Sequence, residues 1–473
     1  MKLRTSCKTL LADLTSPVSV YLRLRDRYRN CFLLESSDFH SADDCRSFIC
    51  CDPLAEYRLE GTTCTVSYSG KAPTTSQIAA PEGFSESLAA FLANVSVTEG
   101  TLPKGVVNGA FGYVGWNAVQ MMENISFTNK ADGITAIPDA QLFVFRYVLA
   151  FNHFRNEVHV LTNFDSATET SSSEDDDRTE CFIREALSGS FQTHPFRTVG
   201  TESGSMTDLE FIKIIEKCKQ HIARGDVFQI VPSRRYQQEY EGDDFQAYRA
   251  LRSLNPSPYL FYCDFGGFRV FGSSPEAQII VKDGEAAIHP IAGTCRRIGN
   301  DAVDRANADA LLHNEKENAE HAMLVDLARN DLSRHCKDVH VAHFREVQYF
   351  SHVIHLVSKV VGRIPPGVGA IKVMADSFPL GTLSGAPKHR AMQLLDQYEP
   401  TNRRTYGGSI GFFGFNGDAV LGIMIRSFFS TQRSLSYQVG MGIVHDSVPE
   451  QEVEEGNAKL GALRAAVRRA SEL

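Results

Sequence analysis

Residues 278–291 read QIIVKDGEAAIHPI. Two apolar, β-prone runs, Gln278–Lys282 and Glu285–Ile291, flank Asp283–Gly284. An Asp-Gly pair in that setting supplies the positive-φ positions that a tight antiparallel hairpin needs. Further short β-like runs lie upstream, at Cys31–Glu35, Thr63–Tyr68, Ala140–Phe151, Glu157–Thr162 and Val227–Val231. Helical signals are interspersed with them. Thr207 and Glu210 have the spacing of a capping box, Phe211, Ile215, Cys218 and Ile222 recur at helical period, and Gly225 stops the run. Other helices are expected near 315–331, 386–398 and 449–470. Strands and helices do not alternate as a βαβ series. The pattern predicts an α+β fold of large, mostly antiparallel sheets in a sandwich, with helices packed outside.

The chain has 473 residues, 43% apolar and 22% charged, enough to bury a large core in a soluble globular protein. No apolar run approaches the roughly 18 residues of a membrane span. The opening MKLRTSCKTLLADL lacks the features of a signal peptide. Eleven scattered cysteines without a CxxC pair point to reduced thiols in the cytoplasm. The net charge of −9 disfavours nucleic acid as a partner and means that an anionic ligand needs a local cation. Residues 166–205 begin with the polar, acidic run Ser166–Arg178 and read as a solvated linker. They divide an N-terminal region, 1–165, from a C-terminal region, 206–473.

Two helices carry carboxylates on a face that should be buried. At about 100° per residue, Glu317 and Glu320 fall on the stripe of Leu324 and Leu327, while Glu315, Asp326 and Arg329 point away. In the last helix Glu452, Glu455 and Lys459 share a face with Ala462, Leu463 and Ala466, opposite Glu454, Arg464 and Arg468. Ser447, Pro449 and Glu450 give that helix an N-terminal signature. Stacked carboxylates are costly to bury unpaired. A hard divalent cation such as magnesium would satisfy them, and so would salt bridges at a helix seam. Gly381 to Lys388 (GTLSGAPK) leads into a helix, with Ser384 as a cap candidate and Pro387 near its first position. Its backbone could bind an anion or simply turn. Gly440-Met441-Gly442 could admit a ligand to the backbone or mark a bulge. Arg426, within VLGIMIRSFF, needs an anionic partner, either a ligand carboxylate or an internal acid.

The segments NPSPYLF (255–261), GSSPE (272–276), PIAGT (290–294), EHAMLVDLARNDL (320–332), SHVIHLVSKV (351–360), FPLGTLSGAPK (378–388), YGGSIGFF (406–413) and GMGIVHDS (440–447) resemble, in order and spacing, the chorismate-utilising enzymes. Within them the chain is most similar to the anthranilate synthase component I family. LLES (33–36) and GAFGYVGW (109–116) extend the likeness to the front half.

The resemblance implies a lyase of tryptophan biosynthesis that makes anthranilate and pyruvate from chorismate, with ammonia from a separate glutamine amidotransferase subunit in a hetero-oligomer. It implies Mg2+ on Glu320 and Glu455, supported by Glu317 and Glu452. It places Glu276 as general acid, His355 at the pyruvate-eliminating step and Thr382 beside the chemistry. Gly293, Thr294, Tyr406, Arg426, Gly440, Met441, Gly442 and Lys459 map to substrate-binding positions. Ser36, Pro258, Tyr259 and Leu260 map to a tryptophan feedback site, which makes residues 1–165 the regulatory part. Leu260 stands where methionine is common, and Cys295 where arginine is frequent. Gln229 and Ala292 occupy positions where relatives carry a lysine that activates water or attacks the ring, so both favour anthranilate formation. The alternatives are an aminodeoxychorismate synthase component I and a non-catalytic tryptophan-binding subunit.

Overall fold

The computed structural model describes residues 1–36, 45–99, 102–128, 130, 136–166, 172–349 and 353–473. The hairpin forms as its sequence demands. Ala277–Lys282 pairs with Glu285–Ile288 around Asp283 (φ 51°) and Gly284 (φ 78°), both left-handed. The second run stops early, because Pro290 cannot donate to a ladder, and the chain resumes as the strand Ile291–Arg296. Ala277–Lys282 also pairs with Ala419–Ile423, and Ile291–Arg296 with Val353–Arg363. Continued in this way, the strands join a β-system that closes on itself. Among the described strands its pairings are antiparallel except for Lys2–Leu11 alongside Ser96–Glu99.

Two apolar layers flank the sheets. One is made only of strand and loop residues, among them Phe32, Phe111, Phe145, Phe261 and Phe412. This is the sheet-on-sheet layer of a sandwich. The other adds the inward faces of helices, such as Phe211, Ile215 and Cys218 of Asp208–Ala223 and Leu460, Leu463 and Ala466 of Pro449–Ala470. Burying each large side chain contributes roughly 1.5–3 kcal/mol. The capping box at Thr207 is present in both directions: the Glu210 amide donates to its Oγ1 at 3.3 Å, and its own amide donates to Glu210 Oε2 at 2.8 Å. All eleven cysteines are free and most are buried. Among the described residues no helix is long and apolar enough to cross a membrane.

Several local expectations need correction. The segment 166–205 is no simple linker. It holds the helix Ser172–Ser188 and the strand Phe196–Gly204, which pairs with Ser233–Gly242. Thr179, Phe182 and Ala186 are buried at helical spacing, and Phe182 stacks on Tyr147 with centroids 3.8 Å apart. The apolar half of this helix begins just beyond the acidic run, so polarity hid its periodicity. Residues 1–165 and 206–473 share strand ladders: Phe32–Glu35 pairs with Tyr259–Asp264, and Gly109–Val114 with Ser409–Gly414. Val227–Val231 contracts to a two-residue strand, Gln229–Ile230. Ser384 caps no helix; its hydroxyl donates to the Leu380 carbonyl, and Pro387 is the cap residue of Lys388–Tyr398. The last helix is capped by Val448, without a side-chain bond. Arg464 does not face solvent freely but grips Glu202 at 2.6 Å.

Candidate active site

The site is assembled where the Ile291–Arg296 strand bulges. The ladder to Val353–Arg363 shifts register between Ala292 and Thr294, at Gly293, whose φ of 76° suits glycine. Thr294 and His355 are register partners across this ladder; the Thr294 side chain lies outside the described residues. His355 Nδ1 meets the Gly293 carbonyl at 3.2 Å. Since a carbonyl can only accept, Nδ1 carries the proton and the acceptor lone pair is on Nε2. Burial pushes this imidazole down, toward its neutral form, and Arg426 adds to the effect.

Glu276 is buried, and its Oε1 accepts a 3.1 Å hydrogen bond from the Thr382 hydroxyl. Burial raises its carboxyl to about 8, with the Thr382 bond opposing only in part. Glu276 is therefore a proton donor at neutral pH. Arg426 lies between two strands with φ 50°, a conformation that a long side chain rarely adopts. Burial depresses its guanidinium, while Tyr406 and Glu455 oppose this. Among the described residues no carboxylate lies within ion-pair distance of it.

Tyr406 is buried, with its phenol pushed up to about 12 by burial. A Cβ on Gly440 would stand 2.8 Å from its hydroxyl, so only glycine permits this approach. A Cβ on Gly442 would stand 2.8 Å from Gln229 Nε2 and 3.9 Å from Glu320 Oε1. The Gly440–Gly442 turn thus runs between Tyr406 and Glu320. Met441 is buried, and its sulfur lies 2.7 Å from where a Gly456 Cβ would be. It can reach a ligand only through its backbone. Lys388 is not available to an anion, because it holds Asp331 Oδ1 and Oδ2 at 3.0 Å each. That pair fastens the 378–388 loop to the Glu315–Ser333 helix.

The four glutamates are oxygen donors from two helices. Glu317 and Glu320 are half-buried, as the helical stripe predicts, and Glu317 Oε2 lies 3.4 Å from where a Gly293 Cβ would stand. Glu452 is buried, but Glu455 is exposed and paired with Lys459 at 2.6 Å. Among the described residues no three His, Cys, Asp or Glu side chains converge as a metal cluster. By the chemistry of their oxygen donors, Glu317 and Glu320 fit a hard divalent cation. The opposite pair is not drawn up to them.

At the other end of Phe32–Glu35, the two segments assigned to an effector meet. Leu260 is the register partner of Glu35. Glu35 is buried and accepts from Tyr248 Oη at 2.6 Å and from Arg252 Nε and Nη2 at 2.8 and 2.9 Å. This brings Ser36 alongside Tyr259 and next to Pro258. Sequence reasoning missed Arg403, which stacks 4.2 Å from the Trp116 ring and donates to the Leu383 and Val231 carbonyls at 2.7 and 2.6 Å. It also missed His321. Neither has a periodicity or motif cue separating it from an ordinary surface cation or core histidine.

A buried protonatable acid, a histidine held on a bulged ladder and an arginine close enough to perturb it are features of a ligand-transforming enzyme, and the comparisons agree. The chain belongs to the chorismate-binding enzyme family, whose pattern matches residues 29–465. Among the curated relatives, anthranilate synthase component 1 of Bacillus subtilis is 39% identical over 379 residues, covering 76% of this chain and 72% of the relative. That of Neisseria gonorrhoeae is 36% identical over 470 residues, covering 96% and 93%. Within the family the chain therefore stands with the anthranilate synthase component 1 proteins. The solved anthranilate synthase component I of Streptococcus pneumoniae superposes with a TM-score of 0.76 at 29% identity, over 96% of this chain and 99% of that one. The menaquinone-specific isochorismate synthase of Escherichia coli shares the fold, with a TM-score of 0.75 at 17% identity, over 98% of this chain and 94% of that one.

Proposed function

We propose that this chain is the chorismate-consuming lyase subunit of an anthranilate synthase, working in the cytoplasm with an amidotransferase that supplies ammonia. The observation that carries the reading is Arg426: a guanidinium in a strained backbone position, with no carboxylate within ion-pair distance among the described residues. Chorismate, a dicarboxylate, provides the missing anion. Arg426 and Tyr406 take the enolpyruvyl carboxylate, and the Gly440–Gly442 backbone and Gly293–Thr294 line the ring. Lys459 adds a cation at the mouth. Glu320 and Glu455, with Glu317 and Glu452 behind them, would hold Mg2+, which when bound supplies positive charge for the ring carboxylate.

Ammonia adds at ring carbon 2, the double bonds shift, and the 4-hydroxyl leaves as water with the proton of Glu276. His355 Nε2 is the base suited to the second step. It takes the proton from carbon 2, the bond between carbon 3 and the ether oxygen breaks, and enolpyruvate leaves as the ring aromatises and becomes pyruvate. Gln229 lacks the basicity to activate water, and Ala292 cannot attack the ring; both support ammonia as the nucleophile.

The test is anthranilate fluorescence from purified chain, chorismate, magnesium and ammonium salt at mildly alkaline pH. A signal that disappears with chelator is expected. Consumption of chorismate without fluorescence would point instead to an aminodeoxychorismate product, and no consumption would overturn the reading. The meeting of Glu35–Ser36 with Pro258–Leu260 supports a tryptophan feedback site on this subunit. Ser36→Ala is accordingly expected to weaken tryptophan inhibition about tenfold, the worth of one or two hydrogen bonds, while kcat changes little. Superimposable inhibition curves would remove that assignment.

A further inference from the structure

His321 follows Glu320 directly and is fully buried. Its Nε2 lies 2.6 Å from Ser358 Oγ, and the same Oγ accepts the Arg345 amide at 2.9 Å. That hydroxyl keeps its own proton and a second lone pair, so it can donate to Nε2 or accept from it. The Ala292 backbone lies beside the imidazole. Ser358 in turn donates its amide to the Pro290 carbonyl at 3.0 Å. Ala292 and Gly293 are consecutive, and Gly293 is the residue whose carbonyl fixes His355. Two histidines on different elements therefore bear on adjacent peptide units of the same bulge. One belongs to the helix of Glu317 and Glu320, the other to the strand opposite.

We infer that His321 is a positioning residue that, through Ser358 and the Ala292–Gly293 bulge, sets the orientation of His355 for the elimination half of the reaction. The inference rests on the role proposed for His355. A helix held only by apolar contacts could slide by a few tenths of an ångström against the strand, and the bulge would follow. The Ser358–His321 bond is directional and removes that freedom. Loss of the bond lets Gly293 relax and turns the imidazole away from the proton it must take. A misplacement of about 1 Å costs roughly 10- to 100-fold in rate. The cost should fall on pyruvate elimination and spare the addition of ammonia.

The experiment measures chorismate consumption and anthranilate release separately in the full chain with magnesium and ammonium salt. It uses His321→Leu, His321→Gln, Ser358→Ala, His355→Ala and the His321→Leu/His355→Ala double variant. In His321→Leu, release is expected to fall roughly 10-fold relative to consumption, with an aminated, non-aromatic intermediate accumulating. His321→Gln, whose amide oxygen can accept from Ser358, restores much of the ratio. The double variant is no slower in release than His355→Ala alone, because both act on one step. Ser358→Ala gives the same signature and carries the test if His321→Leu does not fold. Equal loss of both rates, or effects that multiply in the double variant, would overturn the inference. A parental ratio in His355→Ala would overturn the role of His355 itself.

Discussion

Glu276→Gln is expected to lower kcat by about 10²- to 10⁴-fold, the usual contribution of a positioned proton donor. The amide keeps the size and the bond to Thr382 but has no proton to give. The pH dependence makes the test specific. The parent carboxyl is protonated below about 8 and loses its proton above it, so turnover should fall as pH rises through that value. Free ammonia grows over the same range, which gives a bell-shaped profile whose alkaline limb belongs to Glu276. In Glu276→Gln that limb should vanish.

Stability should move the other way. A carboxyl whose folded value is raised stabilises the fold fully below its ordinary value of 4.5, and that stabilisation is lost as pH rises through about 8. Glu276→Gln has nothing to ionise. Its melting temperature at pH 9 should exceed the parent's, although it is nearly inactive. An equal or lower value would show that the carboxyl is not held neutral by its surroundings.

Glu455→Gln is expected to abolish magnesium-dependent turnover, with a loss of about 100-fold or more, while leaving the fold unchanged. The side chain is exposed and pairs with Lys459 at 2.6 Å, one helical turn away. Such pairs contribute about 0.3–0.5 kcal/mol, so the melting temperature without metal should shift by no more than about 2 °C. The discriminating measurement is the magnesium titration. Parent chain with chorismate should gain thermal stability as magnesium is added, and Glu455→Gln should not. Normal activity and a normal titration in that variant would remove Glu455 from the metal site.

The fold was legible where sequence signals are local. Asp283–Gly284 allows few backbone shapes, and Thr207 with Glu210 defines a helix start whatever surrounds it. The site was legible where a residue type is out of place, as with Glu317 and Glu320 on an apolar stripe or Arg426 in an apolar run. What could not be read depended on partners distant in the chain. The helix Ser172–Ser188 forms because Phe182 finds Tyr147, and its acidic first half looks like solvent-exposed chain. Lys388 ends a glycine-rich run whose backbone reads as a possible anion site, and nothing local shows that its ammonium is held by Asp331. Glu455 shares a helix face with Leu463, yet Glu455 is exposed and Leu463 is buried in the core. Periodicity gives the direction of a side chain but not what lies there.

The ladder between Phe32–Glu35 and Tyr259–Asp264 has a consequence for how the protein is made. Buried Glu35 and its partner Arg252 are 217 positions apart, and Gly109–Val114 waits for a strand as late as Ser409–Gly414. On a ribosome, the first third of the chain emerges with open strand edges and a phenylalanine-rich face, and neither can be covered until most of the remainder has been synthesised. Such long-range pairing slows folding and leaves nascent chains prone to aggregate. A fragment ending near residue 165 should therefore behave as an unfinished sheet that needs a chaperone, and a gene cut at that point would yield two pieces able to work only by reassociating.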